Sequence, residues 1–138
     1  MVRVFLGGTC AETTWREELI EKLDSSKLSW FNPVVDDWTP ECMKNEIRER
    51  NICDLVLYTI TPRMKGVYSI AEVVDDSNKQ PSKTILCILK EDVDDDGNKI
   101  SFDKSQLKSM NQVARMVLSN GGRTFFSLDE LADYLNNY

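Results

Sequence analysis

Apolar residues along the chain come in two arrangements: short unbroken runs, and longer stretches where they recur every three or four positions. The unbroken runs are VRVFLGG (2–8), LSWFNPV (28–34), DLVLYTI (54–60), KTILCIL (83–89) and RTFFS (123–127). Each is short and rich in β-branched or aromatic residues, which predicts strands. DLVLYTI is continuous, as a central parallel strand buried on both faces should be, and Pro62 ends it. The spaced stretches predict helices over 13–26, 36–51, 67–77, 105–120 and 127–137. In the first, Trp15, Leu19 and Leu23 share a face; in the fourth, Leu107, Met110, Ala114 and Val117 do. Thr14 with Glu17, and Ser127 with Glu130, have the spacing of capping boxes. Thr39 before Pro40 reads as an N-cap followed by a first-turn proline, and Gly121-Gly122 as a helix stop.

Strand and helix alternate five times, so the expected fold is a single α/β domain over 1–138. It reads as Rossmann- or flavodoxin-like: a five-stranded, mostly parallel sheet with helices on both faces. In such sheets ligands sit beyond the carboxyl ends of the strands, where the strand order switches. Those ends are Gly7-Gly8-Thr9, residues 32–37, residues 61–68, and Glu91 onwards.

Composition narrows the chemistry. The net charge of −6 argues against nucleic-acid binding, which needs a concentrated basic surface, yet leaves room for a small nucleotide held by backbone amides. No apolar run is long enough to span a membrane. Four cysteines, at 10, 42, 53 and 87, form no CxxC pair, and no signal peptide opens the chain. Free thiols in a reducing cytoplasm are the expectation. Histidine is absent altogether. That removes Ser-His-Asp and Cys-His catalysis and the HExxH zinc site, leaving carboxylates, hydroxyls, thiols and lysine.

Four stretches carry candidate chemistry. Gly7, Gly8 and Thr9 end the first strand, where glycines allow backbone to approach a phosphate or sugar, or simply make a tight turn. In VVDDW (34–38), Asp36, Asp37 and Trp38 offer carboxylates and an indole for a sugar hydroxyl and a base face; alternatively Asp37 caps the next helix. DVDDDGNKISFD (92–103) has acids at positions 1, 3 and 5 and a glycine at 6 of a calcium-loop pattern. A strand rather than a helix enters it, so an acidic Asp-Gly-Asn surface turn is the preferred reading. Last, GVYSIAEVVDDSN (66–78) carries Glu72 among apolar neighbours just past the central strand. Ser69 and Glu72 have capping-box spacing, and the alternative is a partly desolvated catalytic carboxylate. Asp75 and Asp76 read as solvating a helix end.

With those residues in hand, the chain resembles the nucleoside 2-deoxyribosyltransferase-like family, from VFLGG through NPVVDDW, ICDLVLYTITP and GVYSIAEVVDDSN to the fourth strand. That family has a strand led by Asp, then a proline, then a helix whose glutamate attacks the anomeric carbon; here these are Asp54, Pro62 and Glu72. A sugar-contacting acid falls near Glu46. Two positions depart from the pattern. A first-strand tyrosine that holds the nucleophile is replaced by Val4 or Phe5, and a polar residue six before the glutamate is Gly66, with Tyr68 or Ser69 as substitutes. The resemblance implies cleavage or exchange of an N-glycosidic bond in a nucleoside, nucleotide or related metabolite, with no cofactor or metal. It also implies a homodimer or larger homo-oligomer. The other reading is a non-catalytic nucleotide-binding or interaction protein on the same fold.

Overall fold

A computed structural model of the chain describes residues 1–10 and 12–138. The strands are β1 (Val2–Gly8), β2 (Leu28–Phe31), β3 (Leu55–Ile60), β4 (Thr84–Ile88), β5 (Glu91–Val93), β6 (Lys99–Ser101) and β7 (Arg123–Phe125). The helices are α1 (Trp15–Lys22), α2 (Pro40–Ile52), α3 (Tyr68–Lys79), α4 (Lys104–Ser119) and α5 (Leu128–Asn136). Five strands form one sheet in the order β2-β1-β3-β4-β7, and every neighbouring pair is parallel. The chain steps outward from β1 to β2, then returns to place β3 on the other side of β1. The strand order therefore switches between β1 and β3, which opens a crevice at their carboxyl ends.

Strand alternation builds the two sides of the core. Val4 and Leu6 of β1 pack with Trp15 and Leu19 of α1 and Leu131 and Leu135 of α5. Phe5 points the other way, among Tyr58, Val73, Met110 and Val117, under α3 and α4. All six residues of β3 are buried, as its unbroken apolar run requires. Helix α2 is different: Glu49 is its one buried residue, and it is tied to β1 by the ion pair from Arg3 Nε to Glu49 (2.9 Å). Among the described residues, no helix is long and apolar enough to cross a membrane.

Several local expectations need correction. The 92–103 stretch is more than a turn: Asp103 already caps α4, and residues 91–101 form an antiparallel hairpin, β5–β6. Its Asp-Gly-Asn bend is there: Gly97 adopts φ 82°, and the Asp94 carboxylate accepts from the amides of Asp96 and Asn98. Asp92 instead accepts from the hydroxyls of Thr13 and Thr61, and Asp95 pairs with Arg63. Among the described residues no three acids or cysteines converge as a metal site. The Thr14–Glu17 box does not form, because Thr14 (φ −106°, ψ 9°) lacks the extended backbone that turns a cap side chain onto the helix. The two-way capping box sits unannounced at Asp103–Gln106 on α4. Thr39 caps α2 and Ser127 caps α5 as the spacing predicts. Strand β2 stops at Phe31 and α2 begins at Pro40, so residues 32–39 are an irregular loop over the crevice.

Candidate functional site

The crevice is a half-open cleft of about 580 Å³, within the range of small-molecule sites. Its floor is aromatic. Phe5 stacks on Phe31 (centroids 5.7 Å) and tilts against Tyr58 (6.4 Å). Gly7 lies on the same face of β1 as Phe5, and a Cβ there would fall 2.9 Å from the Phe5 ring and 3.1 Å from that of Tyr58. Gly8 has φ +114°, and a Cβ would meet the Thr59 carbonyl oxygen at 2.1 Å. Both glycines are thus required for the strand end to pass over the floor and against β3.

Beyond them the loop is clamped from below. The buried Arg16 guanidinium donates to the carbonyl oxygens of Leu6 (2.9 Å), Thr9 (2.7 Å) and Gly8 (3.3 Å), and Trp15 Nε1 donates to Thr9 O (2.9 Å). Thr9 Oγ1 accepts from the Thr61 amide (3.1 Å). Thr9 therefore serves the clamp and does not line the cleft. The thiol of Cys10 does reach the rim.

The loop 32–39 supplies Pro33, Val34, Val35 and Trp38 to the wall. Asp36 and Asp37 are exposed and lie outside the lining, where their carboxylates keep their water. Gly66 also lies outside; it is exposed, and a Cβ there would meet nothing within 4 Å. Tyr68 and Ser69, at the start of α3, and Glu46, from α2, do line the cleft. Of the residues singled out in the sequence, Gly7, Gly8, Trp38, Glu46, Tyr68, Ser69 and Glu72 thus come together, while Thr9, Asp36, Asp37 and Gly66 do not. Asp54, at the opposite end of β3, accepts from the Arg3 amide (2.8 Å).

Glu72 sits one turn into α3 with its side chain 12% exposed. The Ser69–Glu72 capping box is absent: α3 starts at Tyr68, Ser69 falls inside the first turn, and no side chain caps the helix. Instead Glu72 Oε2 accepts from Arg50 Nη1 at 3.0 Å. Burial lifts the Glu72 carboxyl above its ordinary range; Arg50 opposes the lift, and the nearby charges of Glu46 and Asp76 add to it.

Asp76 is not the helix-end solvating residue its sequence position suggests. Its side chain is 5% exposed and takes both prongs of Arg50, Nε at 3.0 Å and Nη2 at 3.1 Å. The Tyr58 hydroxyl donates to the same carboxylate, and Gln80 Nε2 adds a bond of 3.1 Å. Burial and the neighbouring Asp76 carboxylate both hold the Tyr58 phenol protonated. For Arg50, burial favours the neutral form, but the bonds to Asp76 and the surrounding anions outweigh it and raise its pKa. Sequence reasoning missed Arg50, Tyr58 and Asp76. A signal was present: Glu72 and Asp76 are four apart on α3, on the side of buried Val73, so two acids faced the interior and required a cation.

A fully parallel, flavodoxin-order sheet with a carboxylate-bearing cleft at its switch point defines the class: a single-domain, doubly wound α/β protein. The chain belongs to the family described as nucleoside 2-deoxyribosyltransferase like, whose model matches residues 1–91, the span that holds every lining residue of the cleft. Membership supports a related glycosyl-handling function. A crystal structure of a conserved protein from Enterococcus faecalis V583 has the same fold, with a TM-score of 0.59 and 14% identity. The match covers 99% of this chain and 98% of that one. No curated protein matches the chain.

Proposed function

We propose that this protein cleaves or exchanges the N-glycosidic bond of a nucleoside, with Glu72 as nucleophile. The observation that carries the reading is a half-buried glutamate in a cleft that also offers a second carboxylate, Glu46, and two aromatic rings, Trp38 and Tyr68. Glu72 attacks the anomeric carbon; the C–N bond breaks, its electron pair leaves with the base, and the base takes a proton from solvent. Water or a second base then displaces Glu72 from the sugar carbon, which separates hydrolysis from transfer. Positive charge develops on the sugar in both steps, and Glu46 with Glu72 stabilises it. The described lining holds these two acids and no lysine or arginine, which favours an uncharged nucleoside over a 5′-monophosphate.

The rim is strongly exposed: Trp38 at 62% and Tyr68 at 74%, beside exposed Val34 and Val35. We read this apolar margin as the contact for a second copy of the chain, which would close the cleft to water. Sedimentation equilibrium checks it: a dimer that Val35→Lys dissociates is the expected result, and a monomer at all concentrations removes it.

The reaction is tested by base release from nucleosides and 5′-monophosphates, with and without an acceptor base, for wild type and Glu72→Ala. Release that the variant loses is expected, with nucleosides preferred. Ligand binding without release from any substrate would instead make this a binding protein on an enzyme's fold.

A further inference from the structure

Four side chains run without a break from the interior to the cleft: Tyr58 on β3, Asp76 on α3, Arg50 on α2, and Glu72 on α3. Asp76 is saturated. Its Oδ2 takes Tyr58 and Arg50 Nε, and its Oδ1 takes Arg50 Nη2 and Gln80. The planar guanidinium is therefore fixed through two of its donors, and the third, Nη1, is aimed at Glu72 Oε2 (3.0 Å). The other Glu72 oxygen has no hydrogen bond among the described residues.

We propose that Arg50 is the positioning residue for Glu72: it holds Oε2 in one place and leaves Oε1 as the oxygen that meets the sugar carbon. The inference rests on the reading of Glu72 as nucleophile. An attacking atom must be held in a narrow range of positions, and a glutamate with three free torsions does not hold itself there.

A cation beside a nucleophile raises an objection, since the reaction places positive charge on the sugar. The surroundings answer it. Glu72 is faced by Arg50 and Glu46 from α2, by Asp76 on its own helix and by neutral Tyr58 from β3, with Asp75 4.0 Å from Arg50. Arg50 spends two of its bonds on Asp76, so one cation stands among several carboxylates and the cleft keeps its negative potential. What Arg50 adds is direction, together with a positive charge that opposes the upward shift burial imposes on the carboxyl.

The test follows the Glu72 carboxyl by carbon-13 NMR titration in wild type, Arg50→Gln and Arg50→Lys, beside kcat and KM on the best nucleoside. Glutamine still reaches Asp76 but carries no charge. Arg50→Gln is expected to raise the Glu72 midpoint by ~1 pH unit or more and to move the acid limb of kcat/KM with it. Its kcat should fall by roughly 10–100-fold with KM little changed. Lysine keeps the charge but cannot span both carboxylates, so Arg50→Lys should leave the midpoint near wild type while kcat still falls. A folded Arg50→Gln with an unmoved Glu72 midpoint overturns the proposal. If that variant does not fold, wild-type kcat in Arg50→Lys overturns it. Should no substrate turn over at all, the titration still reads the contact, so a wrong function and a wrong positioning role give different results.

Discussion

Asp76→Ala puts the buried network to a quantitative test. The side chain is 5% exposed and collects four hydrogen bonds, two of them from one guanidinium. Its removal strands the Tyr58 hydroxyl, which is fully buried, and leaves Arg50 with Glu72 at 3.0 Å and Asp75 at 4.0 Å. Breaking a buried charge pair from one side costs about 3–5 kcal/mol. Arg50 is not fully interior and keeps Glu72, which pulls the figure down, while the orphaned phenol adds about 1–3 kcal/mol. The expected loss is therefore roughly 3 kcal/mol, or about 10 °C in Tm for a domain of this size. Asp75→Ala is the control, since that side chain is 47% exposed and its 3.0 Å pair with Lys79 lies on the surface. Such pairs contribute ~0.5 kcal/mol. Urea unfolding with unchanged slope measures both variants. Equal losses for Asp75 and Asp76, or a loss under ~1 kcal/mol for Asp76, would refute the claim that this network holds α2 onto α3.

Three further outcomes follow from the same geometry. Gly8→Ala combines a positive φ with a Cβ 2.1 Å from the Thr59 carbonyl, so it must part β1 from β3; a loss above ~2 kcal/mol on urea unfolding is expected, and a neutral substitution would show that the strand end yields freely. Trp38→Ala removes a ring from the cleft wall, so nucleoside affinity, read by titration calorimetry, should weaken by about 3–10-fold, and unchanged affinity would take Trp38 out of the site. The raised Glu72 carboxyl means the folded state keeps a proton after the unfolded chain has lost it near ~4.3, so this group's contribution to stability declines as pH rises from there to the raised midpoint. Glu72→Gln lacks that decline; its stability relative to wild type should improve across the window, and a pH-independent difference would remove burial as the cause.

How far the sequence reaches can be seen element by element. An unbroken apolar run such as 54–60 has one physical outcome in a small α/β chain, a strand buried on both faces, and β3 is that strand. Local chemistry was equally legible where backbone and side chain cooperate within four residues, as at Thr39-Pro40 and Ser127. It failed where spacing alone was trusted: Thr14 stands at the N-cap of α1 with a backbone that turns its side chain off the helix, and Ser69 falls inside the first turn of α3. The hairpin at 91–101 escaped because two three-residue strands have no periodicity to detect.

The cleft divides in the same way. Gly7, Gly8, Trp38 and Glu72 could be nominated because strand ends in a parallel α/β fold are where ligands sit, and residue type then selects among them, whereas Glu46, inside α2, came only from the family resemblance. Asp36 and Asp37 carried the same chemistry and sit directly between the lining residues Val35 and Trp38, yet the irregular loop leaves them in water. Arg50 stands 22 residues from Glu72 and 26 from Asp76, and no local rule links those distances. By itself the sequence determined the strands, the helices, their alternation and the absence of imidazole chemistry, because propensity, burial and composition act over a few residues. Only the tertiary structure decided which carboxylates share a cavity and which cation answers them, because charge and desolvation act through space and their partners lie on different elements.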